Sequence, residues 1–97
     1  MTRELSIIDP TYNERDNVAP LIRKLRTVLL GIDWEVIFVD DDSPDATAAS
    51  IKQEMVLDAR VRLICRKAKS GLSSACIDGM LAAESSYLVI MDGGYAA

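Results

Sequence analysis

Histidine is absent from the sequence, and cysteine occurs only twice, at Cys65 and Cys76, without CxxC spacing. Lacking imidazole, the chain cannot build a His-based nucleophilic triad, and lacking clustered thiols or imidazoles it cannot build a structural zinc site. Both thiols are expected to be buried as small apolar side chains. Proline and glycine are sparse, at 3 and 5 residues, and with 49% hydrophobic and 27% charged residues this excludes fibrous and disordered classes. No apolar run approaches the roughly 18 residues of a membrane span, and Met1-Thr2-Arg3-Glu4 lacks a signal-peptide pattern. The expected location is the cytoplasm, free or at the cytoplasmic face of a membrane. An excess of basic charge is missing as well: the net charge of −4 argues against a nucleic-acid surface. At 97 residues the chain is one domain at most, able to bury roughly 60–68% of its unfolded surface.

What is present is organised around Val36-Ile37-Phe38-Val39-Asp40-Asp41-Asp42-Ser43-Pro44-Asp45. The apolar run from Glu35 to Val39 does not alternate, which suits a strand covered on both faces. It delivers three acids to its carboxyl end as a turn. Ser43 then offers an N-cap hydroxyl, and Pro44 suits a first helical position.

Before this stretch, Leu5 to Pro10 reads as a short strand, and Pro10-Thr11-Tyr12-Asn13 as a turn. Val18, Leu21, Ile22, Leu25, Val28 and Leu29 keep helical spacing, so an amphipathic helix runs from Glu14 and stops near Gly31. After it, a helix from Pro44 to Leu57 carries a weaker apolar face of Ala48, Ile51 and Met55, and Val61 to Cys65 reads as a third strand. A basic loop, Arg66 to Gly71, leads to a third helix whose stripe of Leu72, Ala75, Cys76, Gly79, Met80 and Ala83 permits close packing on a sheet. Tyr87 to Met91 is a fourth strand ending at Asp92.

The order β-α-β-α-β-α-β calls for a Rossmann-like α/β/α parallel sheet with right-handed crossovers, of expected strand order 3-2-1-4. That order places a topological switch between strands 1 and 4, where open α/β sheets bind ligands at strand carboxyl ends. Three acidic or polar turns then converge: Asp9 to Asn13, Asp40 to Asp42, and Asp92. Carboxylates at one rim repel one another unless a divalent cation or hydrogen-bond donors sit among them. Mg²⁺ or Mn²⁺ shared with ligand phosphates resolves the conflict, carboxylates accept from ribose hydroxyls, Tyr12 can stack on a base, and Arg66, Lys67 and Lys69 can meet a base or phosphate. A nucleotide diphosphate fits these parts. Asp41 and Asp45 have an equal account as solvated turn residues or charges favourable to a helix dipole. The basic loop has an equal account as solvated surface. Asp9 lies inside the first strand, where unpaired burial costs several kcal/mol or leaves the acid protonated.

Three ordered segments, Leu5 through Glu14, Val39 through Thr47, and Arg66 through Ala75, resemble the family 2 inverting glycosyltransferases, closest to the dolichyl-phosphate or polyprenyl-phosphate mannosyltransferase branch. The resemblance spans essentially the whole chain. It implies the nucleotide-binding half of a GT-A fold, a truncated family 2 domain over residues 1–97. It also implies mannosyl transfer from a nucleotide-diphosphate sugar such as GDP-mannose to a polyprenyl or dolichyl phosphate. By it Pro10, Tyr12 and Glu14 line the base and ribose pocket, Asp40 and Asp42 contact the nucleoside, and Asp92 begins the family's Asp-x-Asp metal motif. Gly94 replaces the second Asp of that motif, which weakens a Mg²⁺ or Mn²⁺ site. Asp9 stands where the family has an aliphatic residue, and Ala46 where it has Gly.

Two other classes fit less of the sequence. One is a non-catalytic nucleotide-binding or self-associating module, since Leu88 to Met91 would leave an apolar edge open to pairing. The other is a phosphoacceptor receiver-like domain, which lacks a suitably placed Lys after a later strand.

Overall fold

In the computed structural model, which describes residues 3–67 and 71–91, the apolar run around Phe38 forms a strand buried along its whole length. This is β2 (Trp34–Asp41), and it lies between β1 (Leu5–Thr11) and β3 (Val61–Arg66); β4 (Tyr87–Ile90) pairs with the other side of β1. All pairings are parallel and the order is β3-β2-β1-β4, as the element sequence predicts. Helices α1 (Arg15–Val28), α2 (Thr47–Leu57) and α3 (Leu72–Ala82) make the crossovers.

Alternation along the strands divides the core in two. Ile7, Trp34, Val36 and Phe38 face α1 and α2, where they meet Val18, Ile22, Leu25 and Ile51. Ile8, Ile37 and Val39 face the other way, onto Ala75 of α3. Each large apolar side chain so buried contributes about 1.5–3 kcal/mol. At the amino end of β2 the indole of Trp34 is fully buried, with the Arg60 guanidinium 4.2 Å from its ring centroid. Asp58 fixes that guanidinium through bonds of 3.0 and 2.9 Å from Nε and Nη2, and also accepts from Arg26 of α1 at 3.1 Å. These donors, Arg60 first, hold the Asp58 carboxyl far below its ordinary range.

Nearby Glu35, also fully buried, accepts from Ser6 Oγ at 2.5 Å, Arg62 Nη1 at 2.8 Å and the Glu84 N–H at 2.8 Å. Burial opposes its ionisation, but the three donors outweigh it and its pKa is lowered. One carboxylate thereby ties β1, β3 and the chain entering β4 to β2.

Several sequence expectations are corrected. Asp40 and Asp41 belong to β2, paired with Thr11 and Cys65 and with Arg66 respectively, so the acids do not form a three-residue turn. Helix α2 starts at Thr47, not Pro44, and Ser43 does not cap it; its hydroxyl serves a contact between loops instead. Cys65 is exposed, because β3 is an edge strand, and Cys76 is only half-buried. Met55, Leu72 and Met80 are exposed, and each helix rests on fewer residues than its stripe suggests: Thr47 and Ile51 for α2, Ala75 and Gly79 for α3.

Gly79 is the point of closest approach between α3 and the sheet, since a Cβ there would collide with the Ile8 side chain and meet Val39 Cγ2 at 3.3 Å. Gly79→Ala is expected to destabilise the fold by about 1–2 kcal/mol, overpacking outweighing the better helix propensity of alanine. Urea unfolding of the two proteins checks this; equal midpoints would show that the layers can separate freely.

Candidate functional site

The carboxyl ends of β1 and β2 lie side by side, Thr11 against Asp40, and the loops that follow are bonded to each other. The Asn13 N–H donates to Ser43 Oγ at 3.0 Å, and the Glu14 N–H to Thr47 Oγ1 at 3.0 Å. Ser43 Oγ donates in turn to Asp40 Oδ1 at 2.6 Å, its N–H to Asp40 Oδ2 at 3.2 Å, and Thr11 Oγ1 to Asp40 Oδ1 at 3.1 Å. Asp45 accepts from the Thr47 hydroxyl, from the Thr47 N–H at 3.0 Å and from the Arg15 N–H at 3.4 Å. Desolvation opposes the charge on Asp45, but these donors prevail and lower its pKa. Two residues in this seam hold left-handed backbone, Asn13 at φ 57° and Asp42 at φ 56°. Asn and Asp tolerate that region best after glycine, and such residues cluster where a chain is held for binding.

Pro10 shapes the same end of the sheet. Ile8 turns its carbonyl to β4, accepting the Met91 N–H at 2.9 Å, so Pro10, two residues on, presents its missing N–H to that side. Among the described residues the β1·β4 register runs from Leu5–Tyr87 to Ile8–Ile90, and β1·β2 continues to Thr11. Pro10 thus leaves β1 without a donor toward the β4 side, beside the topological switch.

The predicted site residues fall into distinct roles. Tyr12 and Glu14 lie on the β1–α1 loop and Asp42 on the β2–α2 loop, brought together by the seam; Tyr12 and Glu14 are half-buried and Asp42 is exposed. Asp40 is buried, and its carboxylate holds Thr11 and Ser43. Pro10 is buried within β1. Arg66 is engaged by this chain: Nε donates to Asp41, Nη1 to Ser74 Oγ at 2.7 Å and Asp78 Oδ2 at 3.2 Å, and Nη2 to the Gly71 carbonyl at 3.0 Å. The bond to Asp41, then that to Asp78, raises the Arg66 pKa. Its side chain is 9% exposed and that of Asp41 fully buried, so the pair clamps the start of α3 to the ends of β2 and β3. Lys67 is exposed, whereas Lys69, Asp92 and Gly94 lie outside the described residues. Among the described residues no group of three or more His, Cys, Asp or Glu side chains is placed to hold a metal ion.

Asn13 and Thr47 carried no role of their own in the sequence and Ser43 only that of a helix cap, yet their contacts join segments about 30 residues apart; the run of Asn, Ser and Thr at two strand ends was the available signal. It did notice Asp9. That side chain lines a cavity of about 180 Å³ on the α1 side of the sheet, with Glu14 and Asn17 at one wall and Val18, Leu21, Phe38 and Met91 at the others. Burial first, and the Glu14 charge second, push the Asp9 carboxyl up to about 7.

Comparison with known proteins adds to this geometry. The sequence profile described as Glycosyl transferase family 2 matches residues 6–93. The chain is 42% identical over 89 residues to the dolichol-phosphate mannosyltransferase of Pyrococcus furiosus, covering 92% of this chain and 25% of that protein. It is 37% identical over 95 residues to the dolichol-phosphate mannosyltransferase of Saccharomyces cerevisiae, covering 95% and 36%. The chain thus spans about a quarter to a third of the length of these curated relatives. Among solved structures, the mannosyltransferase PcManGT from Pyrobaculum calidifontis, in complex with GDP-Man and Mn²⁺, superposes with a TM-score of 0.79 at 21% identity, covering 95% of this chain and 28% of that one. S. aureus TarS 1–349 superposes with a TM-score of 0.75 at 22% identity, covering 92% and 27%.

Asp9 generates a pH prediction with a definite sign. Its pKa is higher folded than unfolded, so the folded chain binds the proton more tightly, and stability falls as pH rises from about 4 to about 7. Asp9→Ile removes this dependence and is expected to be more stable than the parent at pH 8, by on the order of a few kcal/mol, with a smaller difference at pH 4. Unfolding midpoints in urea at both pH values check it; a difference that does not grow with pH would contradict the assignment.

Proposed function

The chain belongs to glycosyl transferase family 2, and from that premise we propose that it is the donor-binding part of a glycosyltransferase that moves a hexosyl group, mannosyl in the first instance, from GDP-mannose to a polyprenyl or dolichyl phosphate. Its parallel α/β sheet is that of the GT-A nucleotide-binding half. The observation that carries the reading is the seam of hydrogen bonds joining the β1–α1 and β2–α2 loops at the carboxyl ends of β1 and β2. A rigid crevice at strand carboxyl ends is where open α/β sheets hold nucleotides, and the names of the relatives supply the sugar and acceptor.

In this proposal Tyr12 stacks on the base, and Glu14 and the exposed Asp42 accept hydrogen bonds from the nucleoside. Asp40 positions Thr11, Ser43 and, through Ser43, the backbone of Asn13 rather than reaching the ligand, and Pro10 lines the base pocket at the end of β1. Arg66 holds the start of α3 in place beside the donor. The described residues alone do not compose a metal site. Asp92 is the one carboxylate of this chain assigned to Mg²⁺ or Mn²⁺, an ion that when bound offsets the charge of a leaving diphosphate. Gly94 at the second position of the motif makes that site weak. The transfer is a displacement at the anomeric carbon, for which a phosphate acceptor, already anionic, needs no general base.

No helix among the described residues is long and apolar enough to cross a membrane. In this proposal the lipid acceptor is met at the membrane's cytoplasmic face.

Titration calorimetry with GDP, GDP-mannose and UDP-sugars in Mn²⁺ tests the proposal. GDP and GDP-mannose are expected to bind, and Tyr12→Ala and Asp42→Ala each to weaken binding about tenfold or more. Absence of binding to any of these nucleotides at millimolar concentration would overturn it.

A second reading is favoured by β4, whose residues are 39–75% exposed and apolar. Such an edge pairs with another chain, and self-association through it predicts a dimer in sedimentation velocity that Val89→Lys disperses. A concentration-independent monomer would exclude this reading.

A further inference from the structure

The cavity beneath α1 has a lining of which the nucleotide reading uses only Glu14. Asp9 is 5% exposed, and its carboxylate accepts no hydrogen bond from any described residue. Glu14 lines the same cavity, its charge close enough to repel that of Asp9. Thr11 Oγ1 gives its proton to Asp40 and so offers the cavity only lone pairs. The Asn17 amide nitrogen is engaged by both Glu14 oxygens at 3.3 Å. Val18, Leu21, Phe38 and Met91 make the remaining wall apolar. The space is thus rich in acceptors, poor in donors, and bounded by hydrocarbon.

Such a lining selects its occupant. An anion would face two carboxylates, and a neutral apolar molecule would leave the Asp9 carboxylate without a partner. A hard metal ion would find hydrocarbon where it needs six or more oxygens, and no metal-holding group forms among the described residues. An organic cation satisfies both halves of the lining, its N–H groups bonding Asp9 and its body resting on the apolar wall. Volume agrees: a cavity of about 150 Å³ admits benzene, and this one measures about 180 Å³.

We propose that this cavity is a second binding site, for a small ammonium or amidinium ion carried on an apolar body, with Asp9 as its primary acceptor and Glu14 as a supporting charge. The site lies on the α1 face of the sheet; Asp9 takes no part in the nucleotide reading, and Glu14 is the one residue the two sites share, so the probe is titrated in the absence of nucleotide.

Benzamidine, cationic at pH 8, is the probe, with benzamide as its neutral counterpart and benzoate as its anionic one. Binding to the full chain is followed by amide and methyl NMR shifts. Benzamidine is expected to saturate the protein at millimolar concentration while perturbing Val18, Leu21, Phe38 and Met91. Benzamide and benzoate should bind about tenfold more weakly or not at all, and Asp9→Asn should weaken benzamidine about tenfold or more. Equal affinity for benzamide, perturbations confined to other residues, or an unchanged affinity in a folded Asp9→Asn protein would each overturn the proposal. Should Asp9→Asn fail to fold, the ligand series on the parent chain decides alone.

Discussion

Everything in this fold depends on the register of one parallel pair, β1 against β2, held from Leu5–Trp34 to Thr11–Asp40. It sets Ile7 beside Val36 for the α1 and α2 layer, and Ile8 beside Ile37 for the α3 layer, so a slip of one residue would turn both apolar sets to the wrong face. Hydrogen bonds at the two ends of the pair keep it from slipping. At one end Ser6 donates to buried Glu35; at the other Thr11 donates to buried Asp40. The crevice inherits its rigidity from this alignment, because the loops that form it leave two strands that end level.

Buried acid is used in two opposite ways. Glu35 and Asp41 are fully enclosed and each meets an arginine, Arg62 and Arg66, whose guanidinium also bonds a carbonyl of or just before α3. These pairs fasten the same helix at its two ends. A buried pair adds little net stability, but removing one partner strands the other charge at several kcal/mol. Asp9 departs from that pattern, being enclosed on the face away from α3 without such a partner. The result is a carboxyl close to half-protonated at neutral pH.

Much of this architecture could be read before any coordinates. The unalternating run at Phe38 marks a doubly covered strand, the spacing of Val18, Ile22 and Leu25 marks α1, and short crossovers with right-handed chirality leave few strand orders to choose from. What escaped the reading depended on distant partners. Ser43 looked like a helix cap because capping is local, yet its hydroxyl is drawn to Asp40 and Asn13 across the seam. Arg66 looked like a ligand contact because its neighbours in sequence are basic, whereas its register partner on β2 is Asp41. The Asp9 cavity was illegible for a further reason: it is defined by what α1 fails to cover beside Met91, and periodicity describes only what an element does cover.

β4 stands apart from the other three strands. Four register pairs attach it to β1, and its residues remain exposed on both faces, whereas β1 and β2 are gripped by helices on both sides and β3 from one. Opening a segment costs roughly what its buried apolar contacts are worth, so β4 can peel away at a small fraction of the cost of global unfolding. Amide protons of Val89 and Met91, the ones turned toward β1, would then trade with solvent long before those of Ile37 and Val39. The molecule is in effect a three-stranded cooperative unit carrying a detachable fourth rung, and the Asp9 cavity, which has Met91 in its wall, would lose that wall whenever the rung lets go.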